Sequence, residues 1–176
     1  MLPGNRQFLN MKRTLNVIFI ILTIILAVLI FLFSNDTGDE SGSKSSRVTN
    51  LILSIVMKDF KSMSESEKEE LVDKYSFIVR KLAHFSEYAA LGFLIYGSIF
   101  TSNLSIREKK FLMVFISWIM ATIYASTDEI HQMFVAGRGP SVRDVLIDSI
   151  GAFFGVLVFF FISYLISKIK LNKNTK

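Results

Sequence analysis

The apolar residues of this chain fall into four long blocks, separated by polar segments. The first block, Leu15 to Phe33, runs for 19 residues without a charge. At about 1.5 Å per helical residue it spans roughly 28 Å, which is enough to cross the hydrocarbon core of a bilayer. The other blocks cover about residues 82–100, 111–127 and 145–167. The pattern therefore predicts an all-α integral membrane protein, a four-helix bundle formed by a single domain over residues 1–176.

A short basic segment precedes the first block and carries Arg6, Lys12 and Arg13. A basic start is also typical of a secretory signal. The apolar core of a signal is usually about 7 to 15 residues long and ends at a small-residue cleavage site. The first block meets neither condition, so we predict an uncleaved first span.

The segment between the first two spans, residues 34–81, contains two kinds of sequence. Ser34 to Ser46 is rich in Gly, Ser and Asp, which predicts a flexible loop. From Val48 to Val79, apolar residues recur at helical spacing, which is typical of one or two amphipathic helices on the membrane surface. Ser64 and Glu67 have the spacing of a capping box, so a helix should begin there and lead into the second span.

Composition and charge narrow the function classes. The chain is 51% apolar and has no cysteine, which excludes disulfides, thiolate catalysis and cysteine-ligated metal centres. Its net charge of +5 would suggest nucleic acid in a soluble protein, but here we predict no such partner. Residues 1–14, 101–110 and 168–176 together hold ten Lys and Arg and one acid. The positive-inside rule therefore predicts that both termini are cytoplasmic and that residues 34–81 lie outside.

Ionisable side chains gather at the predicted outer ends of the last three spans. They follow the three- and four-residue spacing of one helix face, as with His84 and Glu87 on the second span. Charged groups at membrane depth are costly unless they pair or face a watery cavity, so they mark a functional site. The predicted ligand-binding residues are Arg80, Lys81, His84, Glu87, Asp128, Glu129, His131, Gln132, Arg138, Arg143, Asp144 and Asp148.

Four members of this set have side chains suited to chemistry: His84, Glu87, Asp128 and His131. They are the candidates for acid–base catalysis and, as N and O ligands on helices, for a divalent metal. The nearby basic residues supply enough positive charge to neutralise the acids without a metal, so no cofactor is predicted.

A purely structural role for the cluster is a polar cap in which Arg138 or Arg143 holds Asp128 or Asp144. Ser141 is placed to cap the fourth span, with Asp144 three residues on. Gly151 and Gly155 form a small-xxx-small pair that predicts close approach to a neighbouring helix.

Four strings carry most of this signal: RKLAHFSEYAALG (80–92), YASTDEIHQMF (124–134), GRGPSVRDVLID (137–148) and GAFFG (151–155). Together they resemble the VanZ-like family of small membrane proteins, over roughly residues 15–165. The family is named for an accessory protein of glycopeptide resistance that lowers susceptibility to teicoplanin. The resemblance implies a multi-pass protein of the bacterial plasma membrane and cell envelope, but it implies no mechanism.

Three functions from different classes follow. The first is an envelope protein whose outer polar cluster binds an anionic lipid-linked group, and so changes teicoplanin susceptibility; its partner is a membrane lipid or a lipid-linked cell-wall precursor. The second is a membrane hydrolase or transferase that acts on a phosphate-bearing lipid, with or without a metal. The third is a small transporter. Assembly into a homo-oligomer is open under all three.

Overall fold

The computed structural model describes residues 3–174, which form five α-helices and no β-strand. Two short 3-10 turns, Phe60–Ser62 and Ser105–Glu108, lie between helices. The prediction of an all-helical chain is confirmed. The helices are α1 (Pro3–Ser34), α2 (Gly38–Val56), α3 (Glu65–Thr101), α4 (Lys110–Gln132) and α5 (Val142–Asn174).

Three segments of these helices are long and apolar enough to cross a membrane. They are Asn10–Ser34 in α1, Lys110–Gln132 in α4 and Val142–Ile169 in α5, and they contain the predicted first, third and fourth spans. The second half of α3 is not among them, because charged and small polar residues interrupt its apolar sequence. The span at 82–100, and with it the four-span bundle, therefore stays a prediction.

Helix α3 is the central element of the fold. It packs against α1, α2, α4 and α5, and its contact with α5 is the most extensive. Tyr88, Leu91 and Tyr96 on this helix are buried, with Tyr88 and Tyr96 completely enclosed.

Glycines let α3 and α5 approach each other closely. A Cβ atom added at Gly151 would collide with the backbone carbonyl of Phe85, and one added at Gly155 would collide with that of Ala89. On the other helix, a Cβ at Gly92 would collide with the carbonyl of Ala152. The small-xxx-small prediction is confirmed, and α3 is the partner of α5 in this contact.

The prediction of a flexible loop over Ser34 to Ser46 is wrong, because α2 already begins at Gly38. Thr37 caps it: the Thr37 hydroxyl accepts a hydrogen bond from Glu40 N at 3.2 Å, and Thr37 N donates to Glu40 Oε2 at 2.8 Å. This reciprocal pair is a capping box. It outweighs the Gly and Ser content of the next two turns. Gly38 N also donates to the Ala136 carbonyl at 3.0 Å, which ties the start of α2 to the turn after α4.

The capping box predicted at Ser64 is confirmed. Ser64 N donates to Glu67 Oε2 at 2.8 Å, and the Ser64 hydroxyl accepts from Glu67 N. The helix that starts here is α3, which continues without a break to Thr101. The polar segment before the second predicted span is therefore rigidly joined to it. A surface position for α2 stays a prediction.

Candidate functional site

A cavity of about 290 Å³ lies where the end of α1, the first half of α2, the middle of α3, the end of α4 and the following turn meet. We call it the polar cavity. Its apolar lining is formed by Ile30, Phe33, Val48, Val79 and Ala83. Its polar lining is formed by Ser34, Asp36, Ser41, Lys44, Ser45, Arg80, His84, Glu87, Asp128 and Arg138.

Two arginines line the polar cavity. Arg80 Nε donates to the Ser45 hydroxyl of α2 at 3.2 Å. Burial lowers the pKa of the Arg138 guanidinium, and the positive charge of Arg80 lowers that pKa further. The two guanidiniums thus repel each other across the same space. Neither forms an ion pair with a carboxylate of a described residue, so an anion between them would be favoured.

Two carboxylates, those of Asp128 and Glu87, also line the cavity. Asp128 is only 5% exposed, and its Oδ2 accepts from Gln132 Nε2 at 3.2 Å. Its Oδ1 and the nearby Ser34 hydroxyl are buried and have no hydrogen-bond partner among the described residues. Glu87 is half-buried and likewise makes no hydrogen bond there. The hydroxyl groups of Ser34 and Tyr88 lie near Asp128, so carboxylates and hydroxyls share this region.

Asp36 and Lys44 form an ion pair within the cavity lining. Lys44 Nζ lies 2.6 Å from Asp36 Oδ2, and the Lys44 side chain is 57% exposed. The pair links the residues just before α2 to its second turn. Since each member neutralises the other, it adds no net charge to the site.

Behind the polar cavity, His84 faces a buried carboxylate. His84 Nδ1 lies 3.9 Å from Asp148 Oδ1, too far for a hydrogen bond. Asp148 is 1% exposed, and neither of its carboxylate oxygens has a partner among the described residues. The two side chains are neighbours across the α3–α5 contact.

The predicted pairing of Asp144 with Arg138 or Arg143 is wrong. Asp144 Oδ1 instead lies 2.5 Å from Lys81 Nζ on α3. Lys81 reaches this carboxylate because α3 and α5 pack closely, so a lysine on the neighbouring helix is nearer than an arginine in the same turn. Nor does Asp128 have an arginine partner; its hydrogen bond comes from Gln132.

The start of α5 is capped by Ser141, the residue before it, and by Glu129 of α4. Ser141 Oγ accepts from Asp144 N at 3.2 Å, which confirms the predicted cap. The Asp144 carboxylate does not complete a capping box, since it is held by Lys81. Glu129 of α4 takes that role: its Oε2 accepts from Ser141 N at 2.9 Å. Glu129 is 4% exposed, so it joins two helices rather than lining the cavity.

Seven of the twelve predicted site residues do not line the polar cavity: Lys81, Glu129, His131, Gln132, Arg143, Asp144 and Asp148. His131 Nε2 is 3.0 Å from Asn35 Oδ1, and its ring packs at 4.7 Å from that of Phe31. Arg143 is exposed on the first turn of α5. Within residues 3–174, no group of three or more His, Asp or Glu side chains is arranged to hold a metal ion. The candidate metal ligands are therefore not assembled in this structure.

Several cavity residues were not anticipated from the sequence. They come from the segment taken for a loop: Ser34, Asp36, Ser41, Lys44 and Ser45. The available signal was the T-x-x-E spacing of Thr37 and Glu40, which predicts a helix start and hence an ordered wall over α3.

The long apolar helices and the polar cavity among them define a membrane protein with a polar site between its helices. The chain belongs to the VanZ/LLP1 family, whose family model matches residues 19–163. The matched region includes all the predicted site residues and the whole of α2, α3 and α4. No curated protein and no solved structure matches the chain significantly.

Proposed function

We propose that this protein acts in the bacterial plasma membrane, where its polar cavity binds the anionic group of a lipid or lipid-linked cell-wall precursor. Through this binding it changes susceptibility to teicoplanin-type glycopeptides. The observation that supports the proposal is the pair Arg80 and Arg138, which share a cavity and have no carboxylate partner among the described residues. Guanidinium groups bind phosphate with two parallel hydrogen bonds, which suits a lipid phosphate.

The rest of the cavity lining fits a phosphate with a hydrocarbon attached. The hydroxyl group of Ser41 can donate to a phosphate oxygen, whereas that of Ser45 already donates to the Ser41 carbonyl. Phe33 and Val48 form an apolar part of the wall. At roughly 30 Å³ per water molecule, a cavity of about 290 Å³ holds on the order of ten non-hydrogen atoms. A phosphate and a small attached group fit in this volume.

The proposed orientation places the polar cavity at the outer leaflet. The concentration of Lys and Arg in residues 1–14, 101–110 and 168–176 supports cytoplasmic termini. With α3 as a further span, the end of α1 and the start of α5 then lie on the outer side. A protein that holds lipid phosphates at this position changes the surface that a glycopeptide meets.

An enzymatic function has weaker support. His84, Glu87 and Asp128 line the same cavity, but they make no hydrogen bond to one another. His131 binds Asn35 instead. Hydrogen bonds between side chains orient many catalytic acids and bases, and the described residues show none among these three. The transporter alternative stays untested.

The proposal is tested by a matched pair of arginine variants. Arg138 lines the cavity and Arg143, five residues on, is exposed outside it. The wild-type protein and the variants Arg138→Gln and Arg143→Gln are produced at equal levels in a teicoplanin-susceptible Gram-positive host. We expect wild type and Arg143→Gln to shift the inhibitory concentration of teicoplanin, and Arg138→Gln to lose the shift. Equal effects of the two variants, or no shift with wild type, would contradict the proposal.

A further inference from the structure

The polar cavity is lined by two chemically different sets of side chains. Arg80 and Arg138 are guanidiniums, whereas Glu87 and Asp128 are carboxyl groups. Arg80 and Glu87 lie on the same face of α3, two turns apart. At about 1.5 Å per residue, their Cα atoms are separated by roughly 10 Å along the helix axis, and both side chains are long enough to reach inward. A single small ligand can therefore contact both sets.

Neither carboxylate forms an ion pair with a basic side chain of the cavity lining, although Arg138 is near enough to Asp128 for their charges to attract. Lys44 is paired with Asp36, and Arg80 donates to Ser45. Lys81 is held by Asp144 outside the cavity lining. Two carboxylates that face one space repel each other, and a bound cation relieves this repulsion.

Polar atoms without a hydrogen-bond partner lie beside these carboxylates. Asp128 Oδ1 and Ser34 Oγ are buried without a partner among the described residues, and both residues line the cavity. Asp128 and Ser34 are 5% and 3% exposed. A buried carboxylate oxygen such as Asp128 Oδ1 is costly unless donors reach it, and the nearby Ser34 hydroxyl can supply one. An ammonium group supplies three donors and a positive charge, whereas a hydroxyl supplies one donor and no charge.

We infer that the polar cavity accepts a zwitterionic phospholipid headgroup, with its phosphate between Arg80 and Arg138 and its primary ammonium against Glu87 and Asp128. The inference rests on the proposed phosphate-binding function and names the class of lipid. A phosphate, an ammonium and the two carbons between them match the size of the cavity. A lipid with phosphate alone satisfies only the arginines.

The test uses two probes that differ only at the amine. Dihexanoyl phosphatidylethanolamine and its N-acetyl derivative share the same phosphate and chains, but only the first carries an ammonium. Their dissociation constants are measured by calorimetry with the detergent-solubilised wild-type protein and the variants Asp128→Asn and Glu87→Gln. Asp128→Asn keeps the size of the side chain, and Glu87 makes no hydrogen bond to a described residue that its replacement would break.

We expect wild type to bind the ammonium probe about tenfold more tightly than the acetylated one, since one charge-assisted hydrogen bond contributes about that factor. Either variant should bring the ratio close to one without weakening the acetylated probe. Equal affinities in wild type, or a ratio that survives both variants, would overturn the inference. Arg138→Gln should weaken both probes; failure of that result alone contradicts phosphate binding and not the ammonium preference.

Discussion

Lys81 on α3 and Asp144 on α5 form an ion pair with an Nζ–Oδ1 distance of 2.5 Å. Their side chains are 18% and 23% exposed, so the charges are largely withdrawn from water. The pair lies at the end of the contact that Gly151 and Gly155 make possible. It therefore fixes how two closely packed helices are aligned next to the polar cavity.

Replacing Lys81 by Met should destabilise the protein, because it leaves the Asp144 carboxylate partly buried and alone. A double-mutant cycle with Asp144→Asn should give a coupling of about 1–3 kcal/mol in unfolding measured in detergent. The exposed Lys68–Glu65 pair is the control, since the Glu65 side chain is 84% exposed, and its cycle should give about 0.5 kcal/mol or less. Equal couplings for the two pairs would contradict a structural role for Lys81.

Substituting Gly155 should separate α3 from α5. An alanine Cβ there meets the carbonyl of Ala89, and neither backbone can move without displacing a helix. We expect Gly155→Ala to destabilise the fold by about 1–3 kcal/mol, with Gly155→Val worse. At Gly139, nothing lies within 4 Å of an added Cβ, so Gly139→Ala should leave the thermal unfolding midpoint unchanged. A tolerant Gly155 would argue against the close helix contact.

Glu129 should stabilise the start of α5 through its hydrogen bond to Ser141 N. Glu129→Ala removes the acceptor from a buried position and should cost about 1–3 kcal/mol, whereas Glu129→Gln keeps an acceptor oxygen and should cost less. Unfolding in detergent, together with amide exchange over residues 141–145, separates these variants. If Glu129→Gln and Glu129→Ala are equally destabilised, Glu129 stabilises the start of α5 through its charge and not through this hydrogen bond.

The start of α2 should loosen in acid. Hydrogen bonds from the Thr37 backbone and side chain lower the pKa of Glu40 below its ordinary value of 4.5. The ionised Glu40 carboxylate therefore stabilises the start of α2 fully above about pH 4.5. This stabilisation is lost as the pH falls through the lower pKa that Glu40 has in the folded protein. Protection of the amides of residues 38–41 from exchange should fall over that range. In Glu40→Gln, the protection should be lower at neutral pH and should change little with pH.

The sequence predicts the long apolar helices of this protein better than the polar segment that connects the first two predicted spans. Uninterrupted apolar blocks and the Ser64 capping box predict where helices run, because these signals are local. The Gly- and Ser-rich composition of residues 38–46 misleads, because a capping box at Thr37 and packing against α3 both favour a helix there. The composition of a segment gives its average preference for helix or loop, whereas a capping residue acts at one position that the average does not reveal.

The site is only partly predictable for a different reason. Helical spacing puts His84 and Glu87 on one face, and the order of the predicted spans brings Asp128 near them; all three line one cavity. Which cation meets which acid depends on helix separation and rotation, which spacing does not encode. This is why Asp144 pairs with Lys81 and His131 binds Asn35. The contribution of α2 depends on tertiary packing over α3.

The central claim is that Arg80 and Arg138 form a site for a lipid phosphate, and the binding of dihexanoyl phosphatidic acid tests it most directly. The dissociation constant is measured for wild type, Arg138→Gln and Arg143→Gln in the same detergent, with monodispersity of each variant as the folding control. Our account predicts that Arg138→Gln weakens binding at least about tenfold, since a charge-assisted pair is lost, and that Arg143→Gln matches wild type. Equal binding by wild type and Arg138→Gln would contradict it.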